Sequence, residues 1–213
     1  MPKKYKHEGL HILNKPRGVS SARHMVNFRK TLDPPMPKDV KIGYAGTLDL
    51  LAEGLLMVGI GRGFTKQLQE LSDADKVYET VINLSGWTIS GDLEQPIQRL
   101  PRALDPGLDR VYDVLESMIG QQSQTPPIFS AKKVNGVRAY TEAREGRDIE
   151  LQPCNITIHD IELLDYTYPL MELRVTCSKG TFIRTLAMDI GELLTGGAYV
   201  EKLVRVKVGD YEL

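Results

Sequence analysis

A chain of 213 residues, 41% hydrophobic and 26% charged, is long enough to bury a sizeable core and has the composition of a soluble globular protein. A formal net charge of −1 excludes a general polycation, so nucleic-acid binding would need basic residues gathered on one face. Two cysteines, Cys154 and Cys177, and four scattered histidines exclude a disulfide framework and any familiar metal-ligand spacing. No apolar run is long enough to span a membrane, and none follows the basic N-terminus as a secretory signal would.

In chain order, residues 9–14 alternate loosely and predict a strand, followed by a turn at Lys15-Pro16-Arg17-Gly18. Ser20 or Ser21 is placed to cap a helix running to about Lys30. Residues 32–39 hold three prolines and predict a loop. Strands are expected over 55–60 and 77–84, with a helix over 65–71 between them. Residues 90–106 are irregular and lead to a helix near 110–119. Residues 124–131 read as an extended segment entering a strand, and residues 138–145 as a helix. Paired strands are expected over 156–164 and 171–177, a helix over 181–194, and a mostly β tail from Ala198 to Tyr211. Helices and strands mix without a strict βαβ rhythm, which favours an α+β domain over a doubly wound one. Val58-Gly59-Ile60-Gly61-Arg62-Gly63 imitates a dinucleotide-binding turn, but the third glycine falls one position early.

The stretch Gly43-Tyr44-Ala45-Gly46-Thr47-Leu48-Asp49-Leu50-Leu51-Ala52-Glu53-Gly54-Leu55 carries the chemistry. It presents one acidic side chain, Asp49, on a Gly-rich turn just before an apolar run. A carboxylate so placed suits a cofactor-free enzyme whose substrate lies over the loop. Basic residues collect in the first fifth of the chain (Lys3, Lys4, Lys6, Lys15, Arg17, Arg23, Arg29, Lys30, Lys38 and Lys41), and more recur later, including Arg205.

Gly46-Thr47-Leu48-Asp49 with Ala52, Gly54 and Leu55 resembles the catalytic loop of the TruB family of pseudouridine synthases. Four further segments resemble that family in the same order. They are Asn14-Lys15-Pro16-Arg17-Gly18-Val19-Ser20-Ser21, Lys76-Val77-Tyr78, the block from Gln124 through Pro126-Pro127 to Lys133 with its continuation to Gly146, and Cys177-Ser178-Lys179-Gly180-Thr181-Phe182-Ile183-Arg184-Thr185-Leu186. The resemblance implies an α+β pseudouridine-synthase-like catalytic domain built on a mixed, mainly antiparallel sheet flanked by helices. It also implies isomerisation of uridine within RNA without a cofactor, at position 55 in the T-loop of tRNA. Asp49 would be the essential carboxylate, attacking C1′ or removing the C2′ proton. Arg184 matches the family arginine that pairs with it, and Tyr78 the tyrosine that stacks on the flipped uracil. Tyr44, Lys15, Phe182 and Leu203 match positions lining the substrate site, and Lys132, Arg138 and Lys179 are candidate phosphate contacts.

The chain departs from the family at several positions. Tyr44 stands where histidine is usual, Leu50 where proline is usual, and Phe182 where tyrosine is commoner; Ile89 interrupts a motif of which Thr88, Gly91 and Asp92 remain. Bacterial relatives usually continue into an RNA-binding PUA domain, whereas this chain stops at Leu213, so residues 1–213 are expected to form a single catalytic domain without a PUA domain. The expected protein is cytoplasmic and monomeric, with tRNA as partner and no membrane association. The alternative is a non-catalytic RNA-binding or RNA-chaperone protein on the same fold.

Overall fold

The computed structural model describes residues 5–130, 133–134, 137–138 and 151–213, the two short pairs by their backbone alone. The contacts cluster into two compact units, residues 1–76 with 204–213, and residues 77–203.

In the first unit, β1 (Gly9–Lys15) and β2 (Ile42–Ala45) both pair antiparallel with β3 (Glu53–Ile60). Helix α1 (Ser21–Thr31) starts where the sequence signals it: Ser20 is the N-cap, and its hydroxyl accepts from the Arg23 amide. Helix α2 (Arg62–Asp73) follows β3 directly. The apolar run Leu55-Leu56-Met57-Val58 is fully buried, as expected of a strand covered on both faces. Leu55 and Met57 pack with Ala45, Leu68 and Val208, whereas Ile60 belongs to a second cluster with Tyr5 and Met36. Gly59 lets α2 lie close, since a Cβ there would stand 2.9 Å from the Phe64 carbonyl oxygen. That is the use of the glycine-rich run that imitates a dinucleotide site.

The second unit takes most of β4 (Lys76–Asn83) and the first part of β12 (Tyr199–Val208), with the order β12-β4-β11-β10-β7. Strands β10 (Cys154–Thr167) and β11 (Leu170–Cys177) form a long antiparallel hairpin. Met171, Leu173, Val175 and Cys177 are fully buried, a strict period of two that marks one covered face. Helices α3 (Leu108–Ser117) and α4 (Ile183–Leu194) pack on each other. Two small ladders complete the described strands: β5 (Gly86–Trp87) with β6 (Gln98–Arg99), and β8 (Lys133–Val134) with β9 (Val137–Arg138). The remaining strand, β13 (Tyr211–Glu212), folds back on the end of β12 in the first unit.

The α+β class holds, with pairings that are mainly antiparallel and a parallel contact between β12 and β3. Two local expectations are corrected. The segment at Gln124 leaves a strand rather than entering one: β7 spans Gly120–Gln124, and residues 125–130 are irregular. Its sequence Gly-Gln-Gln-Ser-Gln is polar, as suits a strand that, among the described residues, pairs with β10 alone and ends the order. Arg138 lies in β9 rather than at a helix start, and residues 139–145 are outside the described residues. Replacing Leu173 with Ala is expected to cost about 2–5 kcal/mol, the usual range for emptying a fully buried leucine site. Urea unfolding of the variant against the parent measures it.

Candidate active site

Asp49 belongs to the first unit and sits, half-buried, on the loop between β2 and β3. Three sets of bonds fix that loop. The hydroxyl of Ser21, itself buried at the start of α1, accepts from the Leu48 amide at 2.9 Å and donates to the Leu48 carbonyl at 3.1 Å. One serine therefore satisfies both backbone groups of the residue before Asp49. The Gly18 amide donates to the Leu50 carbonyl at 2.7 Å, on the other side of Asp49. Arg205, 1% exposed, donates from Nε to the Leu55 carbonyl at 2.9 Å and from Nη2 to the Gly46 carbonyl at 2.8 Å. Gly46 adopts φ +65°, and a Cβ on it would stand 2.8 Å from Arg205 Nη1. Gly54 adopts φ +100°, and its Cβ would stand 2.4 Å from the Arg205 carbonyl oxygen. Both glycines of the motif are therefore required by close approach as well as by backbone conformation.

Lys15 is fully buried at the end of β1. Its ammonium donates to the carbonyls of Pro16 at 3.0 Å and Val19 at 2.7 Å. Burial pushes its pKa below the usual lysine value, against the pull of Asp49 and Glu53, and Arg205 adds to the lowering. Lys15 is thus not part of a basic surface open to phosphate. It is an internal cation close to Asp49 that braces the turn leading into α1. Burial also lowers the pKa of His24 on α1, with Lys15 as a further cause. Tyr44 is half-buried on β2 and lines an open groove of about 490 Å³ between β2 and α2.

The second unit supplies the other candidates. Arg184 stands on the first turn of α4 and is 3% exposed, which places it on the buried face of that helix. Its Nη1 donates to the Ser90 carbonyl at 2.8 Å and lies 3.3 Å from Asp92 Oδ2, and its Nη2 donates to the Phe129 carbonyl at 2.8 Å. Asp92 is fully buried, and its Oδ1 accepts from the Ser90 hydroxyl at 2.6 Å and the Glu94 amide at 2.9 Å. In the sequence Asp92 is recognisable as the remainder of a family motif, a carboxylate within a Ser-Gly-Asp turn, but no local pattern names its partner. A Cβ on Gly91 would stand 3.2 Å from Arg184 Cβ, so the turn and the helix touch. Phe182 is the N-cap residue of α4, and the Gln124 side chain holds both its amide and its carbonyl, at 2.8 and 3.1 Å. Tyr78 is half-buried on β4, Leu203 is buried on β12, and Lys179 is exposed in the turn before α4. Lys132 and the side chain of Arg138 lie outside the described residues.

Among the described residues, no group of His, Cys, Asp and Glu is arranged to hold a metal ion, and no helix is long and apolar enough to cross a membrane.

Asp92→Asn takes a buried countercharge from Arg184 and is expected to destabilise the protein by about 3 kcal/mol, measured by denaturant unfolding. Lys15 has a folded pKa below the unfolded 10.5. Between those two values the unfolded chain holds a proton that the folded chain has released, so stability rises with pH across that window. Unfolding midpoints of the parent should therefore gain on those of Lys15→Met as pH climbs towards 10.5; a constant difference would contradict the assignment.

Comparison with known proteins identifies the family. The model of the TruB family pseudouridylate synthase N-terminal domain matches residues 29–183. A tRNA pseudouridine synthase B of Bacteroides fragilis is 42% identical over 201 residues, covering 94% of this chain and 86% of that protein. One from Flavobacterium johnsoniae is 37% identical over 214 residues, covering 100% of this chain and 93% of that protein. Among solved structures, a chain of a Cbf5-Nop10-Gar1 complex matches with a TM-score of 0.69 at 24% identity, over 96% of this chain and 50% of that one. The likeness is one of fold, and this chain spans about half the length of that one. With a matching family model over most of its length and relatives near 40% identity, this chain belongs to the TruB family of pseudouridylate synthases.

Proposed function

We propose that the chain converts uridine to pseudouridine in tRNA, at position 55 of the T-loop, with Asp49 as the essential carboxylate. The observation that carries this reading is the loop of Asp49, whose two neighbours are each held through backbone groups, by Ser21 and by Gly18. The side chain of Asp49 is therefore presented by a fixed backbone, as a group that must meet one atom of a substrate requires. Similarity to relatives named tRNA pseudouridine synthase B over nearly the whole chain supplies the substrate class.

In this reading the target nucleotide leaves the RNA stack, because its reacting atoms are inaccessible within it. The bond between C1′ and N1 breaks, the uracil turns, and C5 bonds to C1′; C5 loses a proton and N1 gains one. Atoms balance within the nucleotide, so no cofactor is consumed. Whether Asp49 attacks C1′ or removes the C2′ proton, it acts as the ionised carboxylate. Tyr78 offers an aromatic face for the extruded base, and Arg184 is the arginine that serves the carboxylate in the family pattern. Tyr44, Phe182 and Leu203 line the substrate site, and Lys179 meets phosphate. Residues 1–213 act as a single catalytic domain, monomeric and cytoplasmic.

Asp49→Asn is expected to abolish product while leaving tRNA affinity within about threefold, as for a group that acts in the transition state. Pseudouridine mapping on an unmodified tRNA transcript, with filter binding alongside, measures both. Substantial product from the variant would refute the role of Asp49. No product from the parent protein would favour an RNA-binding protein without catalysis.

A further inference from the structure

In the sequence Arg205 is one of several scattered basic residues. In the structure it is among the largest fully buried side chains. A guanidinium is always charged and carries five donors. Placing one in a protein interior is costly unless acceptors are built around it. Here the acceptors are the main-chain carbonyls of Gly46 and Leu55. These two residues flank the loop that carries Asp49, one at its entry and one just inside β3. The guanidinium therefore ties the two ends of the loop together. Gly46 has no side chain where Arg205 Nη1 lies, and Gly54 has none where the Arg205 backbone runs beside it. The register is set by the parallel pairing of Gly54 with Arg205.

We propose that Arg205 is a positioning residue for the isomerisation: it closes the base of the Asp49 loop and so fixes where the carboxylate stands. This rests on the proposed catalytic role of Asp49. Arg205 touches neither substrate nor reacting atoms in this account; it acts through the backbone from Gly46 to Leu55. The fork geometry matters, because two carbonyls are held by two different nitrogens of one planar group. A lysine ammonium offers a single nitrogen, so it cannot hold both carbonyls in the geometry that two nitrogens of one plane provide.

The test compares the parent with Arg205→Met and Arg205→Lys, by pseudouridine kinetics on an unmodified tRNA transcript and by amide hydrogen exchange. The reporters are the amides of Leu48 and Gly18, which exchange slowly only while the loop holds its place against Ser21 and Gly18. Amides of α2 serve as the internal standard. For Arg205→Met the expected result is a fall in kcat of about 100-fold with KM within threefold, the scale of a misplacement near 1 Å. The reporter amides should exchange at least about tenfold faster, with α2 unchanged. Arg205→Lys should fall between parent and Arg205→Met in both readouts, and it decides the matter alone if the methionine variant does not fold. Three results overturn the proposal: unchanged reporter exchange, equal loss of protection in loop and α2, or a lysine variant equal to the parent. A parent protein that makes no pseudouridine refutes the functional reading instead, and the exchange data still decide whether Arg205 closes the loop.

Discussion

A buried guanidinium must be surrounded by acceptors, and each unit of this protein is organised around one. In the first unit Arg205 gathers the carbonyls of Gly46 and Leu55; in the second Arg184 gathers those of Ser90 and Phe129. Neither arrangement resembles a surface ion pair, which contributes little to stability. The main-chain carbonyls of Gly46, Ser90 and Phe129 lie in irregular segments and would otherwise need water, and a charged donor gives them and the strand carbonyl of Leu55 stronger bonds than a neutral one. The arginine and the loop therefore stabilise each other: without the loop the charge is stranded, and without the charge the carbonyls are. Each arginine also fixes a segment that bears a carboxylate, Asp49 in one unit and Asp92 in the other.

The glycines follow from the arginines. Gly46 and Gly54 stand against Arg205, and Gly91 stands against Arg184. All three have positive φ, a backbone conformation that disfavours side chains; at Gly46 and Gly54 a Cβ would in addition crowd Arg205, and at Gly91 it would press on Arg184. The loop is thereby defined by what surrounds it and has little freedom of its own. A side chain such as Asp49, carried on a backbone held from several sides, loses little further entropy when it engages a substrate.

Much of the fold was legible because it follows from patterning. The alternation in β11, the apolar run in β3 and the serine cap on α1 each report a local rule, and each element stands where the rule puts it. The polar strand β7 and the two-residue strands β5 and β6 were not legible, since a short ladder makes few demands on side chains. The site was legible in its motif residues and illegible in its supports. Arg205 reads as one more surface charge, and Lys15 as a basic residue matching a substrate-site position, because nearly all lysines and arginines are exposed; the burial of both depends on carbonyls brought near by the tertiary fold. Asp92 was visible in its motif, but its bond to Arg184 joins residues far apart in the chain, which no local pattern reports.

The departures from the family pattern are easier to understand once the supports are known. At position 50 the loop is held through the main-chain carbonyl, which accepts from the Gly18 amide. Proline and leucine present the same carbonyl, and that carbonyl is all the bond uses, so Leu50 keeps it while its side chain stays 39% exposed. At position 182 the Gln124 side chain grips the amide and the carbonyl together. That grip fixes the first turn of α4 through the backbone, and so the placement of Arg184 two residues later does not depend on a phenolic hydroxyl at 182. Both substitutions fall where main-chain groups make the restraining contacts. A site built on backbone acceptors and buried donors tolerates change in the side chains that merely sit on it, and constrains the glycines and cations beneath them.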